Sequence, residues 1–482
     1  MTHQKNNKKQ ITSAKIFVAI LCIATIFSSC KKEINYDDED TLPPFQRPVV
    51  ELSGNITGNR FLDKDTVYRL NGVVNVGIDA NVNNTTPEAT GILTIEAGTV
   101  IIGKKGTTGT ANPGTLLIHR GSKIYAIGTS SNPIIFTSAE VTKAPGDWGG
   151  LVICGKAKNN QPGGVAELEG SYGAFHGGND DNDTSGILSY VRLEYAGFPI
   201  LQDKEINTLT LGSVGRGTQI DHIQASFGND DAFEWFGGTV NCSHLIAFST
   251  TDDDFDCDFG YTGNVQFAVA FRNSGLADAL SGSNGFEVDN DGTGTSNTPI
   301  TAPTFSNVSI FGPKNDSTTT IDANFRRAMH LRRSNKIKIY NSFFTGYPQG
   351  LVIDGAVTKT NAENGDLVIK NSVLSLLDNW TAYLPYKSDQ SGFNVSTWFN
   401  DAAKNNSTVA NVTAAGFTPA NLYNNTNPNF LPNTGSVLLS GASFIGLPSF
   451  FTTVTYKGAF NSTDDWTIGW TNFNPATTEY VR

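Results

Sequence analysis

A chain of 482 residues with 38% hydrophobic side chains is long enough to bury a sizeable core and too apolar to be disordered. Only 16% of its residues are charged, and two methionines stand against 30 phenylalanines and 49 glycines, which excludes helical bundles built on Ala, Glu, Lys and Leu and favours short strands joined by turns. Setting aside Lys5, Lys8, Lys9 and Lys15 of the first segment leaves 30 basic against 45 acidic residues, a balance that excludes nucleic acid as a partner.

Residues 1–29 read as a signal peptide: those four lysines precede an apolar run from Ile16 to Phe27 that breaks into Ser28-Ser29-Cys30. Twelve apolar residues are too few to span a bilayer. A cysteine directly after two small residues resembles the lipobox of bacterial lipoproteins. The following Lys31-Lys32-Glu33 with Asp37-Asp38-Glu39-Asp40 resembles the surface-export signals of Bacteroidota lipoproteins. The resemblance implies an acylated Cys30, outer-membrane lipid as the anchoring partner, and a cell-surface location. The other reading is a soluble secreted protein cut near Ser29. Residues 30–50 are charged, then carry Pro43, Pro44 and Pro48, the composition of a tether.

Cys154, Cys242 and Cys257 remain in the body of the chain. Three thiols exclude a disulfide scaffold, and their spacing matches no zinc motif, so they are expected as buried small hydrophobes.

The body repeats itself. Gly91-Ile-Leu-Thr-Ile95 recurs 23 residues later as Gly114-Thr-Leu-Leu-Ile118, followed by apolar pairs at Val100-Ile101 and Lys123-Ile124. The pattern apolar-x-x-apolar-x-apolar begins at Ile220, Cys242 and Val265, in steps of 22 and 23 residues, with weaker copies at Leu188, Phe305, Ile339 and Ile369. Such a period without a helical pattern excludes ankyrin, TPR and HEAT repeats, and no Leu ladder supports a leucine-rich repeat. A propeller expects about 40–50 residues per blade. An all-β, right-handed parallel β-helix is left, with loop insertions, over residues 51–375. Residues 376–482 break the rhythm with Trp380, Tyr383, Tyr386, Phe393, Trp398 and Phe399. They read as an aromatic-rich segment and C-terminal cap over the exposed last coil. The words Asp147-Trp-Gly-Gly-Leu151, Tyr190-Val-Arg-Leu-Glu-Tyr-Ala-Gly197 and Asp465-Trp-Thr-Ile-Gly-Trp470 resemble a broad family of surface-exposed Bacteroidota β-helix lipoproteins. That likeness implies a fold and a location; it brings no activity.

Between Asn229 and Asp291 lie twelve acidic residues and one basic residue, Arg272. Aligned by the coil step, Phe233, Phe255 and Phe286 fall in register and point inward. Glu234, Asp256 and Glu287 then form one outward column, and Asp258 with Asp289 the next. Like charges about 4.8 Å apart repel by about 3 kcal/mol at an effective dielectric near 20. Hard oxygen donors in excess favour Ca²⁺, with Asp231, Glu234, Asp253, Asp254, Asp256, Asp258, Glu287, Asp289 and Asp291 as candidate ligands. The alternative is a solvated acidic face with raised carboxyl pKa values and no fixed ion.

Two functions follow. The first is a non-enzymatic surface lipoprotein that binds a glycan, a peptide or an outer-membrane protein along its flank. The second is a calcium-dependent polysaccharide lyase or glycosidase, with Arg326, Arg327, His330, Arg332 and Arg333 as its basic candidates; the preferred reading of those five is a solvated face or a salt-bridge row against the acidic loops. His119, His176, His222 and His244 show no triad partners in sequence, although His222 and His244 stand one coil apart. A cleft holding an Arg beside the carboxylates favours the lyase; a flat face favours binding. The lipid anchor is tested by Cys30→Ala, which is expected to abolish acyl labelling and move the protein from the membrane to the soluble fraction. Unchanged membrane retention contradicts it.

Overall fold

Short runs of β-branched and aromatic residues at alternating spacing, closed by Gly, Asn and Asp, form strands too short to bury a core alone and must stack on copies of themselves. The computed structural model describes residues 47–81, 88–201, 204–316, 318–375 and 392–480. Cys30, residues 31–46 and Trp380, Tyr383 and Tyr386 lie outside them. Among the described residues 25 strands join one all-parallel sheet wound as a right-handed β-helix with three faces.

In the early coils each face has its own strand: Gly91–Ile95, Val100–Gly103 and Thr115–Ile118. Onto these stack Lys123–Ile127, Ile134–Ser138 and Leu151–Cys154. The coil step here is 31 to 35 residues, with Leu93 beside Ile124 and Leu116 beside Leu151. The two similar words at Gly91 and Gly114 therefore do not stack on each other as their spacing suggests. They occupy the first and third faces, because every corner of a three-sided coil asks for the same Gly-then-strand wording.

From residue 186 onward the first two faces merge into single strands, Gly186–Glu194, Gln219–Ser226, Asn241–Phe248, Asn264–Phe271 and Thr304–Phe311. Each bends at one residue in the left-handed region: Tyr190, His222, His244, Phe267 and Asn307, with φ between 52° and 59°. Asn341 and Asn371 turn the same corner between shorter strands. Here the 22- and 23-residue steps are true coils, with Ile220 beside Cys242 and Cys242 beside Val265. The weaker copies at Leu188, Phe305, Ile339 and Ile369 fall in the same column.

Phe233, Phe255 and Phe286 are fully buried and stack at 5.8 and 5.3 Å between ring centroids. Each contributes about 1.5–3 kcal/mol by leaving water. Cys242 and Cys257 lie in the same core, and Cys154 is buried beneath an insertion. The helix Val395–Phe399, capped by the Asn394 side chain, packs Val395, Trp398 and Phe399 into that core. Beyond it, the last residues do not end over the final coil. They return along the outside of the second face, where Phe417, Phe430, Phe460 and Trp470 cover Phe248, Phe271, Phe311 and Phe343. Gln224 exchanges two hydrogen bonds with the Asn472 backbone, Gln266 does the same with Thr452, and Tyr480 reaches the buried Glu194 at 2.7 Å.

Inside the corner between second and third faces, Arg272 and Asp254 form an ion pair of 2.9 Å with neither side chain exposed. Asp254 also accepts from the Tyr347 hydroxyl, and Arg272 donates to the carbonyls of Thr250, Asp252 and Asn284. Arg272→Met leaves that carboxylate buried without its partner and is expected to cost about 3–5 kcal/mol in denaturant unfolding. Adding Asp254→Asn should return part of the loss, and additive losses in the double variant would contradict the pairing.

Candidate functional site

The returning C-terminal segment packs on the second face and leaves the outer side of the third open to other residues. The third face's strands Leu209–Gly212, Phe233–Phe236, Phe255–Asp258, Phe286–Val288 and Arg327–Leu331 stack in register and present an outward column: Thr210, Glu234, Asp256, Glu287, His330. The carboxylates of that column are the three expected from strand alternation. Three connecting segments wall it: one brings Leu168, Glu169 and Tyr172, another Ile206 and Asn207, and a third Asp278, Leu280 and Ser281, around a hollow of about 570 Å³. A second hollow of about 420 Å³ shares Asp231, Asp252, Leu280 and Ser281 with the first and runs on to Glu287, Arg326, Arg327, His330 and Arg332. The two make one trough.

Of the candidate ligands, Asp231, Glu234 and Asp256 bring one oxygen each to within 4.8 Å of one another, as do Asp253, Asp256 and Glu287. Asp230 and Asp252, beside Asp231, form a third such group. Some of these carboxylates also hold the coils together. Asp231 accepts the backbone N–H of Asp253 at 2.8 Å, and Asp253 accepts that of Asn284 at 2.6 Å.

Four candidates stand apart from this cluster, among them Asp289, which pairs with Arg332 and Arg333. Asp254 faces inward to Arg272. Asp291 closes a tight turn on the backbone N–H groups of Thr293 and Thr295; against burial, the Thr295 hydroxyl and then these N–H groups hold its carboxyl below the usual range. Asp258 accepts the N–H of Phe259.

In the later half of the ladder, the salt-bridge row forms through His330, Arg332 and Arg333. Arg332 bonds Asp289 at 2.9 Å and also pairs with Glu287; Arg333 bonds Asp289 at 2.7 Å. His330 lies between Glu287 at 3.3 Å and Asp354 at 3.1 Å. These cations come from the next coil, 43 to 45 residues on. The earlier half is different. Among the described residues no Lys, Arg or His pairs with Asp230, Asp231, Glu234, Asp252 or Asp256; Glu234 takes a hydrogen bond from Asn207. Tyr172, Asn207, Glu169 and Asp278 escape sequence reasoning because they arrive on aperiodic insertions.

Burial is the largest influence on these carboxyls, with like-charged neighbours adding to it. Together they push Asp230, Asp231, Glu234 and Asp256 well above the ordinary range. Asp252 rises to about 8 despite its bond from Ser281, and Asp258 and Asp289 to about 7. A carboxyl raised in this way keeps its proton in the folded chain where the unfolded chain has released it. The stability it contributes is whole below about pH 4 and is lost as pH climbs through the folded values. In chelator, the melting temperature should therefore fall between pH 5 and pH 8.5, and Asp252→Asn with Asp256→Asn should flatten that fall. A melting temperature that rises over the interval contradicts the arrangement.

The profile described as a pectate-lyase like β-helix domain matches residues 54–420. No curated protein and no solved structure matches the chain. That match spans the solenoid, the insertions that wall the trough and the helix that plugs its end, and the chain belongs to the pectate-lyase-like β-helix family.

Proposed function

We propose that this protein binds an extended glycan along the trough of its third face, displayed at the outer membrane by an acylated Cys30. The observation that carries the reading is the 570 Å³ hollow, a size usual for small-ligand sites. In it, carboxyls able to accept from vicinal hydroxyls alternate with Leu168, Tyr172, Phe236 and Leu280, which suit the C–H faces of sugar rings. The second hollow extends the same floor by one to two coils, the shape a polymer needs. Ca²⁺ is proposed as the counter-charge of the unpaired half of the ladder: an oxygen-only set of acidic ligands is its usual environment, and its bond lengths tolerate irregular geometry.

A second reading, cleavage of a uronate polymer, is favoured by one specific observation: Arg326 and Arg327 line the same trough as Asp253, Asp256 and Glu287. In β-elimination a base takes the proton α to the uronate carboxyl, the C4–O bond breaks, and the departing oxygen takes its electron pair and a proton from water. A cation beside the carboxylate acidifies that proton.

The soluble Cys30→Ala protein is expected to bind one class of glycan on an array. Glu234→Gln and Tyr172→Ala should each weaken that binding about tenfold, the worth of ~1.4 kcal/mol. Millimolar Ca²⁺ should raise the melting temperature most at pH 8, where the protons are leaving, and Mg²⁺ should do so less. Appearance of unsaturated product from a uronate polymer, lost in Arg327→Ala with binding retained, would select the second reading. Absence of binding to any glycan, with or without Ca²⁺, contradicts both.

A further inference from the structure

On the opposite side of the molecule from the trough's floor, at the corner where the first face turns into the second, the solenoid stacks Tyr190, His222, His244 and Phe267. Their ring centroids are 4.3, 4.2 and 5.1 Å apart and the planes within 22° of parallel. All four residues take the left-handed backbone. Three later coils turn that corner with Asn307, Asn341 and Asn371, a residue type that tolerates it better than most residues with a side chain. One residue before the corner, the rungs read Ser189, Asp221, Ser243, Gln266, Ser306, Tyr340 and Lys370. The one acid in that column falls at the coil where two imidazoles are stacked.

The consequence is a three-point cluster. Asp221 accepts from Nδ1 of His222 at 2.5 Å and from Nδ1 of His244 at 2.7 Å, one through each carboxylate oxygen, and Ser243 Oγ donates to it at 2.6 Å. One ligand atom from each of Asp221, His222 and His244 lies within 4.8 Å of the others. Trp466 and Trp470 of the returning C-terminal segment set their edges against the imidazoles at 5.1 to 6.2 Å. Aromatic rings thus enclose the cluster on three sides, and the partly exposed Asp221 leaves the fourth open to solvent.

We propose that Asp221, His222 and His244 form a binding site for one divalent transition-metal ion of the zinc and copper class. Two neutral imidazoles and one carboxylate suit such an ion, whereas the oxygen-only trough suits a hard one. An ion about 2.0–2.2 Å from each ligand atom takes the place of the two shared hydrogens once the imidazoles tilt out of their stack, so that both Nδ1 lone pairs, which lie in the ring planes, meet at it. Each imidazole stays neutral by carrying its proton on Nε2 instead of Nδ1, and water fills the open side. Ser243 holds the carboxylate in place, the supporting role that outer hydrogen bonds play around metal ligands.

The test uses the full chain without a histidine tag. Zinc titrated calorimetrically is expected to bind at one ion per chain. Asp221→Asn, His222→Asn and His244→Asn should each weaken it at least tenfold; the two histidine substitutions should leave the melting temperature of the metal-free protein within a few degrees, since Asn already turns this corner in three coils. A tenfold excess of Ca²⁺ should not compete. The copper(II) form of the unmutated protein supplies a readout that needs no variant: its electron paramagnetic resonance spectrum should show hyperfine coupling to two nitrogens, and Cu²⁺ should quench the fluorescence of the adjoining tryptophans. No binding, zinc binding that survives all three substitutions, or a copper spectrum with oxygen ligands alone overturns the proposal.

Discussion

Rung-on-rung hydrogen bonding of parallel strands is the constraint from which the rest of this molecule follows. Once one coil pairs with the next in register, every side chain is set about 4.8 Å from its counterpart above and below. The chain chooses only which residues repeat. Where apolar residues repeat, the result is a stack such as Phe233, Phe255 and Phe286 that leaves water as a unit. Where carboxylates repeat, as at Glu234, Asp256 and Glu287, the same register forces like charges together. The backbone ladder, rather than any attraction among the side chains, holds them there.

That forced proximity is resolved in two ways along one column. Toward the C-terminal end, His330, Arg332 and Arg333 arrive from the following coil and pair with Glu287 and Asp289. Toward the N-terminal end no such cation pairs with Asp230, Asp231, Glu234, Asp252 or Asp256 among the described residues, and burial with like-charged neighbours favours their protonated forms. A surface whose charge is unsettled without a ligand is poised to take one, and this is the physical link between the fold and the proposed glycan site. The two halves lie side by side in one trough, which gives an occupant an acidic stretch followed by a mixed one.

The solenoid is also read from its outside. The second face reads as nearly continuous apolar strands, for instance Leu245-Ile-Ala-Phe248, because both of its sides are covered. Leu245 and Ala247 face the core, and Ile246 and Phe248 face the returning C-terminal residues. The third face alternates in its later coils because only its inner side is covered there. The corner column that carries His222 and His244 lies at the margin of that returning segment, so the proposed metal site and the proposed glycan site draw on different faces and different chemistry.

Much of this was legible in the residues before any coordinate. Period, strand alternation and the absence of helical patterning determine a parallel solenoid, the inward Phe column and the outward Glu234, Asp256, Glu287 column, since each is a local repeat and register carries it into space. What the tertiary structure alone decided is whatever depends on three faces closing on one another. The Gly91 and Gly114 words belong to different faces; Asp254 turns inward to Arg272; the last residues run back along the flank; and the trough is walled by Tyr172, Asn207 and Asp278, which no period announces. A repeat specifies what lies one rung away, because that neighbour is its own copy. It does not specify what lies across a corner or under an insertion, because those partners are distant in the chain and bear no likeness to it.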